Sequence, residues 1–242
     1  CFSFKGLRER GGNTGPHKDG WGIAFYQGKG VSTFKDAAAS HHSRVAELIT
    51  DYPIKSNVVV AHVRQANRGR VALENTHPFT RELWGRYWTY AHNGQLRDYK
   101  QLPCCQFQPV GTTDSERAFC FILSALVEKY PQGPKSRPQL FAYVKKLCDG
   151  LRRQGVFNLL LSDGDYLFCY CSTKLHHITR RAPFGLARLS DVDVDIDFTR
   201  ETTERDVVTI VATMPLTCNE AWQAMTTGEA ILWKAGEMVR RF

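Results

Sequence analysis

The segment Ser162-Asp163-Gly164-Asp165 lies between two β-prone apolar runs, Val156 to Leu161 and Tyr166 to Tyr170. Asp-Gly tolerates the positive φ angles of a tight reversal, so the three pieces predict a β-hairpin and hence antiparallel pairing. Trp21 to Tyr26, before the glycine turn at 28–30, reads as another strand, as does the β-branched run Val58 to Val63. Asp206 to Thr213, and Ile231 to Val239 broken at Ala235-Gly236, add further strand.

Helical signals are separate from these. Thr113-x-x-Glu116 is a capping box that predicts a helix through Tyr130, with Phe119, Leu123, Leu126 and Val127 at helical spacing. A second box, Thr217-x-x-Glu220, predicts a short helix containing Trp222. Ser136 to Gly155 reads as a third helix, with Pro138 in its first turn, and the Phe2, Phe4, Leu7 pattern as the first. Strands and helices in separate runs predict a layered α+β fold instead of strict βαβ alternation.

At 242 residues the chain is expected to form one domain, and its 43% hydrophobic and 23% charged content is ordinary for a globular protein. No apolar stretch is long enough to span a bilayer, and Cys1-Phe2-Ser3-Phe4-Lys5-Gly6 lacks the features of a signal peptide, so a cytoplasmic location is expected. A net charge of +8 raises the question of nucleic acid, but the arginines are scattered in pairs without a recognition motif. An anionic substrate accounts for the charge equally well. The eight cysteines form no paired C-x-x-C sets, which predicts reduced, mostly buried thiols and no metal site. The run Asp191 to Asp197 imitates a calcium loop, yet Ile196 stands where glycine is needed and Thr202 where glutamate is needed, so it reads as an amphipathic edge strand.

Four blocks combine polar, charged and glycine residues where a plain core needs apolar ones: Arg10 to Gly22, His62 to Gly69, Asn75 to Pro78 and His92 to Gly94. With Thr113-Asp114-Ser115-Glu116, Gly155-Val156-Phe157-Asn158 and the closing Trp222 and Gly228-Glu229, their order resembles the motif series of class II glutamine amidotransferases over nearly the whole chain. Small stand-alone bacterial members are the most similar type. The resemblance implies a four-layer αββα sandwich of the N-terminal-nucleophile hydrolase kind, an amidase acting on glutamine or a γ-glutamyl compound without a cofactor, and an ammonia-accepting synthase partner.

In such an enzyme an N-terminal cysteine attacks the carboxamide and its own α-amine serves as base. The resemblance assigns the Asn93 amide and the Gly94 N–H to the oxyanion hole, and Arg64, Asn67 and Asp114 to substrate binding. Arginine suits a carboxylate because its fork binds bidentately, and an aspartate suits the α-ammonium. Gln65 and Arg68 depart from the family's usual aromatic and histidine. Cys1 is the candidate nucleophile if the chain starts there. However, Phe2 to Glu9 cannot supply both the strand and the helix that the family places before the Arg10 block, so an N-terminal strand is expected to precede this sequence. A hydrolase of γ-glutamyl peptides, and a non-catalytic γ-glutamyl-binding protein, are the alternatives.

Overall fold

A computed structural model describes residues 2–66, 69–198 and 203–242, with only the backbone of Phe2. Its strands are β1 (Trp21–Gln27), β2 (Gly30–Asp36), β3 (Val59–Val63), β4 (Phe79–Leu83), β5 (Arg86–Leu96), β6 (Gly155–Ser162), β7 (Leu167–Tyr170), β8 (His176–Arg181), β9 (Leu186–Arg188), β10 (Asp195–Asp197), β11 (Val207–Ala212), β12 (Gln223–Ala224), β13 (Ala230–Lys234) and β14 (Glu237–Arg241). Four α-helices accompany them: α1 (Phe2–Glu9), α2 (Arg44–Asp51), α3 (Asp114–Lys129) and α4 (Arg137–Arg152).

The expected hairpin is formed by β6 and β7, which pair antiparallel with Ser162 opposite Leu167. Gly164 takes φ +90 and the Asp163 carboxylate accepts from the Tyr166 N–H at 3.0 Å, so both residues of the Asp-Gly signal act as expected. This hairpin is the middle of a six-stranded sheet, β14-β13-β7-β6-β5-β4. Helices α3 and α4 cover one face, burying Phe119, Leu123, Phe141 and Val144 against Trp88, Tyr90, Phe157 and Phe168. On the other face lie two smaller antiparallel sheets, β2-β1-β3 and β11-β8-β12. Tyr26, Val58, Val60 and Ala91 fill the space between β1–β3 and the large sheet, while Leu175, Val211 and Trp233 fill it beneath β8 and β11. Helices α1 and α2 close the outer side through Phe4, Ala46 and Ile49 packed on Trp21 and Ile23. Helix, sheet, sheet, helix is the expected αββα order.

Three local expectations need correction. The Thr217 box opens no helix: Thr217 Oγ1 donates to Glu220 at 2.6 Å, but Arg180 on β8 takes the same carboxylate at 2.7 Å, and the chain proceeds to β12. An ion pair across elements outweighs a cap worth about 1 kcal/mol. The acidic run forms strand only at Asp195–Asp197, on β9, because Asp191 turns away to bind Arg10 at 2.7 Å and Thr14 at 3.0 Å. At α3 only half of the capping box exists. Thr113 accepts from the Glu116 N–H at 3.2 Å, whereas the buried Glu116 carboxylate reaches Arg81 at 2.6 Å and the Gly111 N–H at 2.7 Å. That carboxylate fixes the loop leading into the helix.

Candidate active site

A cleft of about 510 Å³ opens between β3, β5 and the start of α3, with Arg64, Gln65, His92, Asn93, Gly94, Tyr99, Thr112, Asp114 and Ser115 on its walls and His17, His62 and His77 also lining it. Of the residues proposed from sequence, Arg64, Asn93, Gly94 and Asp114 therefore meet in one place. Asn67 and Cys1 lie outside the described residues. None of the seven described cysteines lines the cleft.

Arg64 leaves the end of β3, and its position is set by a backbone clamp. Its N–H donates to Gly20 O at 2.8 Å, its carbonyl accepts from Asp19 N–H at 3.0 Å, and the Asp19 carboxylate accepts from Ala66 N–H at 2.7 Å. The guanidinium donates to Asp19 O at 3.1 Å, and the residue as a whole is 5% exposed. Burial lowers its pKa, and the Asp19 and Asp114 carboxylates pull the other way. Such a cation, largely withdrawn from water, is suited to an anionic ligand group.

Asp114 opens α3, and its Oδ2 accepts from the Leu96 N–H at 2.7 Å. The carboxylate thus joins the helix start to the end of β5 and complements the helix dipole as well, so structural and electrostatic roles coexist.

Asn93 and Gly94 stand in β5, opposite Asn158 and Phe157 of β6. His-Asn-Gly in isolation reads as a turn, yet here it is strand, because Asn158 supplies what a turn would lack. Its Nδ2 donates to Asn93 O at 3.2 Å and to Thr173 Oγ1 at 2.9 Å, while its Oδ1 accepts from the N–H groups of Ser172 and Thr173 at 2.9 and 3.0 Å. The Asn93 side chain, half-buried at the cleft, makes no hydrogen bond to any described residue. Gly94 has φ +153, and a Cβ there would stand 2.0 Å from Val156 O and 2.8 Å from His92 Nε2. Gly94→Ala is accordingly expected to cost about 1–3 kcal/mol in backbone strain, a fall in melting temperature of about 2–12 °C for a chain of this size. An unchanged melting temperature would show that β6 yields freely.

His92 is fully engaged. Nε2–H donates to Val156 O at 3.1 Å, which leaves Nδ1 to accept from Ser115 Oγ at 2.8 Å. Burial lowers the pKa of the ring, and Asp114 opposes that shift. Neither Ser115 nor Asn158 was assigned a role from sequence. Residue type alone carries no such signal, since both act through the pairing of β5 with its neighbours. Tyr99 and Thr112 line the wall equally unannounced.

Burial also depresses His62, to about 3, and His77 well below the ordinary imidazole value. The unfolded chain therefore binds more protons than the folded one once the pH drops below ~6.5. Stability is complete above that pH and is lost toward pH 3 in the case of His62. Urea unfolding followed from about pH 7 to 5 should show a loss approaching ~1.4 kcal/mol per pH unit per imidazole, and His77→Phe should remove one such share. A flat profile would contradict the neutral assignment.

No group of three or more His, Cys, Asp or Glu side chains among the described residues is arranged to hold a metal. No described helix is long and apolar enough to cross a membrane.

Against known proteins, a family model described as "Glutamine amidotransferases class-II" matches residues 1–242. The chain is 63% identical over 239 residues to the candidate glutamine amidotransferase YafJ of Escherichia coli (strain K12), covering 99% of this chain and 94% of that one. The 2.0 Å crystal structure of a predicted glutamine amidotransferase from Pseudomonas aeruginosa PA01 aligns with a TM-score of 0.79 at 51% identity, over 96% of this chain and 91% of that chain. Glutamine phosphoribosylpyrophosphate amidotransferase from B. subtilis aligns with a TM-score of 0.59 at 15% identity, over 100% of this chain and 45% of that one, a likeness of fold alone. The layered αββα architecture is thus shared with that enzyme, and the chain belongs to the class II glutamine amidotransferases.

Proposed function

We propose that the cleft hydrolyses the γ-carboxamide of glutamine through a thioester on the mature chain's N-terminal cysteine, and that the ammonia passes to an acceptor held by a partner. Glutamine-dependent amide transfer is the chemistry of the class. The observation that carries the finer reading is the convergence of a buried cation, Arg64, and a carboxylate, Asp114, on the same cleft as the Asn93 amide and Gly94. Arg64 takes the substrate α-carboxylate and Asp114 the α-ammonium, which directs the side-chain amide toward β5. There the Asn93 Nδ2–H and the Gly94 N–H receive the oxyanion. The α-amine of the cysteine takes the thiol proton and returns it to the leaving nitrogen.

A cleft of about 510 Å³ lies within the range of small-molecule sites and leaves room for a γ-substituent. Comparing kcat/KM for glutamine and for γ-glutamyl peptides decides between hydrolysis of the simple amide and of a larger relative.

The assignment of Asp114 is tested with glutaramate, the analogue that lacks the α-amine. Wild type should prefer glutamine by about tenfold or more, the value of a charge-assisted hydrogen bond. Asp114→Asn keeps an acceptor for the Leu96 N–H but deletes the charge, so the preference should collapse while the protein stays folded. An undiminished preference in the folded variant would remove Asp114 from the substrate site.

A further inference from the structure

His77 is 4% exposed and lines the cleft, yet neither of its ring nitrogens has a hydrogen-bond partner among the described residues. The same holds for Nδ1 of His62, whose ring centroid is 4.4 Å from that of His77, and for Nδ1 of His17. Behind them the buried Tyr90 hydroxyl is also unpartnered, with its ring parallel to His77 at 6.3 Å. Leaving one buried polar atom unsatisfied costs about 1–3 kcal/mol, so such a concentration at a cleft marks a ligand more readily than a tolerated defect.

The chemistry of that ligand is constrained. Neutral imidazoles offer one donor and one acceptor each and no charge, so they do not replace Arg64 as a carboxylate receptor. A metal does not fit, because the described His, Cys, Asp and Glu side chains form no group that could hold one. A cationic guest is disfavoured by Arg64 on the same wall. What fits is a small uncharged molecule that both donates and accepts hydrogen bonds.

We propose that His17, His62 and His77 form the leaving-group subsite, which receives the ammonia cleaved from the substrate amide and holds it as a neutral amine. The inference rests on the glutamine reading above. When the cysteine thiolate adds to the carboxamide carbon, an S–C bond forms. Collapse then breaks the C–N bond, and the nitrogen departs as NH₃ with the proton carried by the α-ammonium. Ammonia keeps its lone pair only if no neighbour protonates it. Burial keeps the His62 and His77 rings deprotonated and raises the Tyr90 hydroxyl well above its ordinary value, so the subsite holds no ready acid. By reversal, an uncharged amine seated there attacks the thioester carbon: the C–N bond forms, the S–C bond breaks, and the amine's surplus proton returns to the sulfur.

Hydroxylamine, uncharged near neutral pH, probes the subsite. With glutamine as acyl donor, the ratio of γ-glutamyl hydroxamate to glutamate reports how well an amine competes with water for the thioester, whatever the rate at which the thioester forms. His77→Phe keeps a flat ring against Phe79 and Tyr90 but removes both nitrogens. The ratio should fall about tenfold, the size of one lost hydrogen bond, and His62→Phe should act in the same direction. An unchanged ratio in a folded variant overturns the proposal while leaving the glutaminase reading intact; absence of glutamate release from wild type overturns that reading instead. Where the variants fail to fold, ¹⁵N spectra of wild-type imidazoles titrated with hydroxylamine decide. Saturable shifts at His62 and His77, absent at the exposed His42, are expected. Lack of any saturable shift there overturns the subsite.

Discussion

Asn93→Ala should lower kcat for glutamine hydrolysis by about 10²–10³ while leaving glutamine affinity within a few-fold, as expected for one lost oxyanion donor. The asymmetry follows from when the interaction is made. Negative charge appears on the carbonyl oxygen only after the nucleophile has added, so a donor aimed at it stabilises the transition state more than the bound substrate. The structure leaves that amide free to act, because the hydrogen bond from Asn158 goes to the Asn93 backbone carbonyl, at 3.2 Å, and not to its side chain. The strand pairing of Asn93 with Asn158 does not depend on the amide, so folding should survive its removal. A drop in melting temperature with normal kcat per folded molecule would reduce Asn93 to a structural residue.

Arg64→Ala should act at the other end of the substrate and in the other parameter. Loss of a charge-assisted, bidentate contact to the α-carboxylate costs ~1.5–3 kcal/mol, and more where the carboxylate is left desolvated and unpaired. A fall in kcat/KM of about 10²-fold or more, carried mainly by KM, is expected. Arg64→Lys should recover little, because the ammonium lacks the planar fork. Both variants lose the contact to Asp19 O, but the backbone clamp of residue 64 to Gly20 and Asp19 does not involve the side chain and should hold the loop. Steady-state kinetics with a parallel melting curve separates the two effects. An unaltered kcat/KM in the alanine variant would remove Arg64 from the site.

What could be read in the sequence was whatever is local in mechanism. The Asp163-Gly164 reversal, the Thr113 cap and the helix with Pro138 in its first turn each rest on backbone preferences within a few residues, and each is present. The order of the polar blocks also points to Arg64, Asn93, Gly94 and Asp114 as parts of one site, and the cleft holds all four.

Features that depend on distant partners were not legible. β5 carries Ala91-His92-Asn93-Gly94 through the middle of a sheet, which local propensity reads as a turn; Asn158, Val156 and Ser115 make the strand possible by satisfying its polar groups. Glu116 and Glu220 both sit where a capping glutamate belongs, and arginines from other elements claim both. The cluster of imidazole nitrogens without hydrogen-bond partners among the described residues is invisible for the same reason. His17, His62 and His77 are far apart in the chain, and only the close approach of the segments that carry them places their rings along one cleft.

The central claim, a cysteine thioester formed from glutamine in this cleft, is tested most directly by intact-mass analysis after treatment with a γ-diazoketone analogue of glutamine. One adduct per chain is predicted, located by peptide mapping at the N-terminal cysteine, prevented by excess glutamine and weakened in Arg64→Ala. No adduct, or an adduct at a surface thiol such as Cys105 or Cys218 that glutamine does not prevent, would contradict it.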